Sequence, residues 1–208
     1  LIGLSKFNIE IHLISFEKKD KFNKKRVDIE VLIEHKMHSD GGEPVHSVSV
    51  HKGVVNQIEH LGRSFAAKNV SKYNKVLFGD VIYTKSPTGN FPYGIIKQSY
   101  VDNAIVSPLY CVTSPIDINI GYLLNWFFES NVNVHNYLHP IIQKGAKNTI
   151  NISNDTFLSR SLFLPSSKAE RRKIKEVYSS LNDNLRILES EIQKMTEFKK
   201  GLLQQMFV

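Results

Sequence analysis

The sequence predicts an α+β (α/β) globular head with a mixed β-sheet, followed by one long C-terminal helix of the coiled-coil type. Three observations support this prediction. Short strand-like segments separated by turn residues fill most of the chain before Pro165, an apolar segment with helical spacing lies among them at residues 123–137, and a heptad stripe follows Pro165. We therefore expect a head domain over residues 1–165 and a helical arm over residues 166–208.

In the first part of the head, the sequence pattern predicts secondary structure only from residue 39 onward. Residues 1–34 mix strand and helix patterns, so no boundary is predicted there. Residues 39–44 have the glycines and proline of a loop, and residues 45–50 alternate as a strand that ends at Gly53. A strand over residues 76–83 is interrupted by a turn at Gly79 and Asp80.

The second part of the head has clearer signals. Residues 85–93 contain two prolines, a glycine and an asparagine, which predicts a loop. Strands are predicted at 95–96 and 106–112, the second bent at Pro108, and a helix at 123–137 is closed by Pro140. The remaining predictions are a polar loop at 144–149, a strand at 150–152, a short turn or helix near Asn154 and a last strand at 162–164.

The arm has a defined start and a continuous apolar seam. Ser167 and Glu170 form a capping-box pattern, which predicts that the helix begins near Lys168. Apolar residues then recur as the a and d positions of heptads. We expect helix pairing through Ile174, Tyr178, Leu181, Leu185, Leu188, Ile192, Met195, Leu202 and Met206, with Lys199 at an a position that helps to fix register.

The length of the arm indicates a partner helix. A helix of about forty residues is roughly 60 Å long, which exceeds what a domain of this size needs for its own core. The alternative, that the helix folds back and covers the head, remains open at this point.

Composition limits the function classes. The chain has 208 residues, a formal charge of +7 and a pI near 9.4, which favours a polyanionic partner. The basic cluster at residues 18–26 is equally compatible with a solvated face.

Cys111 is the only cysteine, so an internal disulfide is excluded. A reducing cytosol is expected, and the thiol is expected to be buried in the core as a packing residue. No apolar run has the length of a membrane span, and the start at Leu1 without methionine indicates a fragment.

Several short segments are informative through their order and spacing. In the head they are Ser47-Val48-Ser49, Lys52-Gly53-Val54-Val55, Gln57, Tyr73, Gly79-Asp80-Val81-Ile82-Tyr83 and Val106-Ser107-Pro108-Leu109-Tyr110. In the arm region they are Leu162-Phe163-Leu164-Pro165, Glu170, Ile174 and Lys200-Gly201-Leu202-Leu203-Gln204-Gln205-Met206. Together they closely resemble the target-recognition domain and spacer helix of type I restriction-modification specificity subunits, over about residues 45–208. Two departures are Glu170-Arg171, where the family usually has Glu-Gln, and the first forty residues, which match poorly.

The resemblance implies a non-catalytic DNA-recognition subunit. In that family, two spacer helices pair antiparallel and hold two recognition domains apart, so that each domain reads half of a bipartite site. This chain would therefore be a half-subunit that dimerises or the second half of a longer chain. The implied partners are double-stranded DNA, methyltransferase (modification) subunits and restriction/translocase subunits. S-adenosylmethionine, ATP and magnesium are implied on those partner subunits, and no cofactor on this chain.

Three polar loops are candidates for contact with DNA, because base edges are read by hydrogen-bonding side chains and phosphates are bound by cations. The first contains His51, Lys52, Asn56 and Gln57, the second contains Lys85, Ser86, Thr88, Asn90 and Tyr93, and the third contains Lys144, Lys147 and Asn148. Ordinary solvated turn chemistry explains each loop equally well when it is taken alone. Ser47, Gly79, Asp80, Ser107 and Tyr110 are expected to serve the fold.

Signatures of catalysis are missing from the sequence. It has no Gly-Lys-Ser/Thr element for ATP and no Pro-Pro pair of the kind expected in an adenine amino-methyltransferase. His135 and His139 lie one helical turn apart, as His35 and His38 nearly do, but two histidines do not form a metal site, and none is predicted. A coiled-coil scaffold whose head binds protein is the alternative function, and a self-sufficient nuclease is a third, weaker one.

Overall fold

The centre of the head is a four-stranded antiparallel sheet. The computed structural model describes residues 24–28, 31–144, 150–165 and 167–206. The sheet has the order β2 (Leu32–Glu34), β9 (Cys111–Pro115), β6 (Val81–Tyr83) and β7 (Ile96–Gln98). Its central strands are buried on both faces, because helices cover one face and a second layer of strands covers the other.

The second layer consists of two strand pairs. One is the hairpin of β3 (His46–Ser49) and β4 (Gly53–Asn56), and the other joins β5 (Asn74–Val76) to β8 (Ala104–Val106). Every strand pair among the described residues is antiparallel, apart from one isolated parallel bridge between residues 45 and 105. The α+β class is therefore confirmed, whereas the sheet is antiparallel rather than mixed in the described part of the chain.

Helices α2 (Ile118–Phe127) and α3 (Asn131–Leu138) pack on the central sheet. The sequence predicted one helix over 123–137, and this was wrong. Ser130 accepts a hydrogen bond from the Asn133 amide at 3.4 Å and starts a separate helix, because a serine N-cap satisfies amides that the first turn leaves unpaired. Pro140 does not end the segment but lies within a 3-10 turn, His139–Ile141.

Two strand predictions also differ from the structure. Residues 106–112 form the end of β8 and the start of β9, separated by a turn, because Pro108 cannot donate a hydrogen bond to a ladder. The hairpin strand β4 was missed, since Gly53 was read as the end of a strand. Gly53 has φ of +69° and instead closes the turn that reverses the chain.

The chain reaches the arm through short elements. Strands β10 (Gln143–Lys144) and β11 (Ile150–Asn151) pair, helix α4 (Asn154–Leu158) follows, and β12 (Ser161–Pro165) pairs with β1 (Lys24–Asp28). These positions confirm the short helix near Asn154 and the strand at 162–164. Helix α5 (Lys168–Met206) begins where the capping box predicted, with the Ser167 hydroxyl accepting from the Glu170 amide at 3.4 Å.

Candidate nucleic-acid interface

The β3–β4 hairpin divides the first predicted DNA-contacting loop. His51 and Lys52 lie exposed in its turn. Asn56 lies at the other end of β4, paired with His46, and Gln57 begins helix α1 (Gln57–Leu61). The four residues predicted to share one surface are therefore at two different ends of the hairpin.

Asn56 and Gln57 use their polar atoms inside the fold. The Asn56 side-chain oxygen accepts a hydrogen bond from the Ile58 amide at 2.9 Å and caps α1. The side-chain nitrogen of Gln57, Nε2, donates to the Ser47 hydroxyl at 2.9 Å, while its side-chain oxygen accepts from the Phe65 backbone amide at 2.7 Å. These contacts hold the two side chains within the fold, and their predicted contact with DNA stays a prediction.

Gln57 holds one side of the exposed segment between Gly62 and Tyr73, hereafter the 62–73 loop. Its other side is held by the Tyr73 hydroxyl, which accepts a hydrogen bond from the Ala67 amide at 3.1 Å. Gly62 ends α1 with φ of +73° and donates its amide to the Ile58 carbonyl at 2.8 Å. The loop therefore follows a fixed course although it contains no strand or helix.

Arg63 and Phe65 form an exposed pair on this loop. The Arg63 guanidinium carbon lies 4.5 Å from the centre of the Phe65 ring, within the range of a cation–π contact. Phe65 is 57% exposed, and within the part of the chain that the structure describes no carboxylate pairs with Arg63. Sequence reasoning did not single out this pair. The available signal was an aromatic residue among cations in a polar segment.

The hairpin and the 62–73 loop carry a net positive charge. Residues 44–73 contain the cations Lys52, Arg63, Lys68 and Lys72 against a single carboxylate, Glu59. All four cations are exposed. This part of the head therefore offers a cationic surface of the kind that attracts phosphate.

The second predicted loop divides into packed and exposed residues. Lys85 Nζ donates to the Asn154 side-chain oxygen, which ties this end of the loop to α4. Tyr93 packs against His135 and His139, with ring centres 5.3 and 6.0 Å away. Both residues therefore make contacts within the fold, and their predicted contact with DNA stays a prediction.

The exposed part of the second loop is Ser86, Thr88 and Asn90. The Thr88 hydroxyl donates to the Ser86 carbonyl at 3.3 Å, and all three side chains lie at the surface. Residues 86–90 contain no cation, and the neighbouring Lys85 is hydrogen-bonded to α4. Their contact with DNA stays a prediction.

The third predicted loop is described only at its edge. Lys144 lies in β10 and pairs with Ile150 across the two-stranded ladder. Lys147 and Asn148 lie outside the described residues.

Five residues were predicted to serve the fold, and the structure gives each a structural contact or conformation. Buried Asp80 accepts hydrogen bonds from the Ser114 hydroxyl at 2.7 Å and the Leu77 amide at 2.8 Å, and His35 Nε2 lies 2.9 Å away. The Ser47 hydroxyl accepts a hydrogen bond from the Gln57 side chain, and Gly79 has φ of +92°. The Ser107 hydroxyl accepts a hydrogen bond from the Leu109 amide, and the Tyr110 carbonyl accepts one from the Asn74 side chain.

The first turns of the arm are packed on α2. Arg171 Nε lies 3.0 Å from Asp117 Oδ2, and its NH1 donates to the Pro165 carbonyl at 2.8 Å. Burial alone would raise the pKa of Asp117, but the Asn119 amide and Arg171 outweigh it and hold that pKa below its ordinary value. Ile174 is partly buried close by on the arm.

Tyr178 belongs to the same contact. Its ring centre lies 4.7 Å from that of Trp126 and its hydroxyl donates to Glu129 at 2.6 Å. Burial, together with this hydrogen bond, raises the pKa of Tyr178. The residue was predicted to pair with another helix, whereas the structure packs it on the head.

Beyond these turns the arm leaves the head. Every residue from Asp183 to Lys200 is exposed, a length of roughly 27 Å at 1.5 Å per residue. The apolar seam runs along this stretch and extends past both of its ends, with exposed Leu181, Leu185, Leu188, Ile192, Met195 and Leu202. Met206 ends the helix, and its side chain is not described. The fold-back alternative therefore applies only to the first turns, and the pairing of the remaining residues stays a prediction.

The single thiol and the histidine pairs show no assembled reactive centre. Cys111 is buried, as predicted, and burial raises its pKa to about 12. His135 and His139 stack with ring centres 4.9 Å apart, but no group of three or more potential metal ligands occurs among the described residues. None of the described helices is both long and apolar enough to cross a bilayer.

Compared with protein-family models and with curated protein sequences, the chain matches none.

Proposed function

We propose that this chain is a DNA-recognition subunit of a type I restriction-modification enzyme, consisting of one recognition head and one spacer helix. It reads half of a bipartite site in double-stranded DNA and is not itself catalytic. It directs methyltransferase subunits and restriction/translocase subunits, which carry S-adenosylmethionine, ATP and magnesium. The proposed function and partners are those implied by the resemblance of residues 45–208 to that family.

One structural observation carries the proposal. The arm is fixed to the head by Arg171 and Tyr178 and then exposes an apolar seam over several turns. An exposed seam of leucine, isoleucine and methionine is unfavourable in water unless another helix covers it. The net positive charge of the hairpin and the 62–73 loop supports the DNA-binding part.

The head contact of Tyr178 constrains how two such arms pair. Since Tyr178 packs against Trp126, the shared seam begins at Leu181. In an antiparallel pair with a residues facing d residues, the register that uses the whole remaining seam pairs Leu181 with Met206, Leu185 with Leu202, Leu188 with Lys199 and Ile192 with Met195.

Cysteine crosslinking tests this register. The double variant Leu185→Cys/Leu202→Cys is expected to form a disulfide-linked dimer on mild oxidation, whereas Leu185→Cys/Met195→Cys, which reports a register shifted by one heptad, is not. Cys111 is buried and does not interfere. Equal crosslinking of both variants, or a chain that sediments as a monomer at all concentrations, would refute the pairing.

Selection from a library of randomised 30-base-pair duplexes tests recognition. The full chain is expected to enrich one short motif at about 0.15 M salt, since base readout persists where phosphate affinity has weakened. Binding that enriches no motif, and that disappears as salt rises, would remove the recognition function.

A protein-binding scaffold is the second candidate function. It is favoured by an exposed aromatic pair on the head, Phe78 and Tyr100, with ring centres 6.1 Å apart. Large exposed apolar groups of this kind also mark protein contacts. A chain that enriches no DNA motif, but whose binding to a purified partner subunit is lost in Phe78→Ala, would favour this candidate over DNA recognition.

A further inference from the structure

We propose that the 62–73 loop is the base-reading element of the head and that Arg63 contacts a guanine through the major groove. This inference rests on the proposed function, and it assigns the reading role to a residue outside the three loops predicted from sequence.

The first support is the fixed geometry of the loop. Gln57 bonds to the Phe65 amide and Tyr73 bonds to the Ala67 amide, so the backbone on both sides of the tip is restrained. A restrained loop loses less conformational entropy on binding than a mobile one. Arg63 is therefore presented by a support that exists before DNA arrives.

The second support is the stacking of Arg63 on Phe65. The ring lies 4.5 Å from the guanidinium carbon, so it restricts the guanidinium group while leaving the edge donors available. A guanidinium edge matches the O6 and N7 acceptors of guanine, which a lysine cannot engage with the same fork geometry. The only carboxylate in residues 44–73, Glu59, is not ion-paired with Arg63 in the described structure.

The third support is the mixed character of the surface. Exposed Ile58, Leu61 and Phe65 lie in the same segment as the exposed cations Lys68 and Lys72. DNA offers both kinds of partner, namely backbone phosphates for the lysines and the thymine methyl groups of the major groove for apolar side chains. The second predicted loop lacks this combination, because residues 86–90 contain no cation and its one cation, Lys85, is hydrogen-bonded to Asn154.

The test compares which DNA duplexes are selected by variants of the 208-residue chain. One library of randomised 30-base-pair duplexes is used for five proteins: the wild-type chain, Arg63→Ala, Arg63→Lys, Lys68→Ala and the arm control Arg172→Ala. Arg63 and Arg172 are both exposed, so both variants are expected to fold, and thermal unfolding checks this. Binding of the wild-type motif is then measured with guanine replaced by 7-deazaguanine at each position in turn.

The expected result is a loss of preference at one guanine in Arg63→Ala, by about 5- to 150-fold, and a similar loss in Arg63→Lys. The arm control keeps the motif, and Lys68→Ala keeps it while weakening binding to all sequences. At the same guanine, 7-deazaguanine weakens the wild-type chain and leaves Arg63→Ala unchanged.

Three outcomes would overturn the inference. A motif retained in Arg63→Ala with unchanged affinity removes the role of Arg63 and leaves the proposed function standing. A uniform loss of affinity over all sequences, with a shallower salt dependence, assigns Arg63 to phosphate instead. A wild-type chain that selects no motif removes the proposed function, and this inference falls with it.

Discussion

Removal of the Arg171 side chain is expected to weaken the attachment of the arm to the head. Its guanidinium group lies 3.0 Å from the Asp117 carboxylate and binds the Pro165 carbonyl at 2.8 Å. Both partners in the ion pair are largely buried, with side chains 13% and 7% exposed. Arg171→Ala therefore leaves a desolvated carboxylate that has lost its cation, which costs more than the loss of a surface pair.

The magnitude follows from what remains around Asp117. Loss of a buried ion-pair partner costs about 3–5 kcal/mol, and the lower end applies here because Asn119 still donates to Asp117 from its amide at 3.1 Å and its side chain at 2.9 Å. We expect about 3 kcal/mol. At roughly 2–4 °C per kcal/mol for a chain of this size, the midpoint of thermal unfolding falls by about 6–12 °C.

Arg172→Ala provides the matched control. Arg172 is the next residue, its side chain is 71% exposed, and it pairs with Glu176 at 3.3 Å across one helical turn. Exposed pairs of this kind contribute about 0.5 kcal/mol or less, so the control should unfold nearly as the wild-type chain does.

The assay is unfolding followed by circular dichroism and by the fluorescence of Trp126. It is the only tryptophan, and it lies at the contact between α2 and the arm. A difference of less than 0.5 kcal/mol between Arg171→Ala and the wild-type chain, or an equal effect of Arg172→Ala, would refute the reasoning.

Acid provides an additional check on the same pair. The folded-state pKa of Asp117 lies below its ordinary value of 3.8, so its ionised form stabilises the fold above that value. This stabilisation is lost as the pH falls through the lower folded pKa. The difference between the wild-type chain and Arg171→Ala should therefore shrink at pH values well below 3.8.

Two further predictions concern packing and thiol chemistry. Gly121→Ala places a Cβ in steric overlap with the Gln98 side-chain nitrogen and should destabilise the head by about 1–3 kcal/mol, measured by urea unfolding. The control Gly201→Ala meets open space and should stabilise the arm by up to about 1 kcal/mol. Equal effects of the two substitutions would contradict the packing of α2. Because burial raises its pKa to about 12, Cys111 should stay protonated at pH 8 and react with iodoacetamide only as fast as the chain unfolds, and rapid labelling of the folded chain would show that the thiol is accessible.

For the candidate site, the sequence indicated which residues lie in loops but not which of them have hydrogen-bond partners. Local chemistry identified exposed polar residues such as Lys52 and Ser86, because turn residues mark loops. It could not indicate that Gln57 and Lys85 are engaged by partners, since Ser47 lies ten residues from Gln57 and Asn154 lies 69 residues from Lys85. Engagement of a side chain by a distant partner depends on the fold.

Arg171 illustrates the same limit in the arm. In sequence it differed from the residue usual in the family that the chain resembles, and it had no assigned role. In the structure it pairs with Asp117, which caps α2 and lies 54 residues earlier in the chain. The departure therefore coincides with an attachment point that local patterns do not reveal.

The sequence by itself determined the start of the arm at Lys168, the heptad seam and the burial of Cys111, because capping, periodicity and side-chain hydrophobicity act over a few neighbouring residues. Only the tertiary structure decided that Tyr178 packs on the head and that the 62–73 loop presents Arg63 on Phe65. The physical reason is that packing and hydrogen-bond partners come from residues distant in sequence, and folding brings them together.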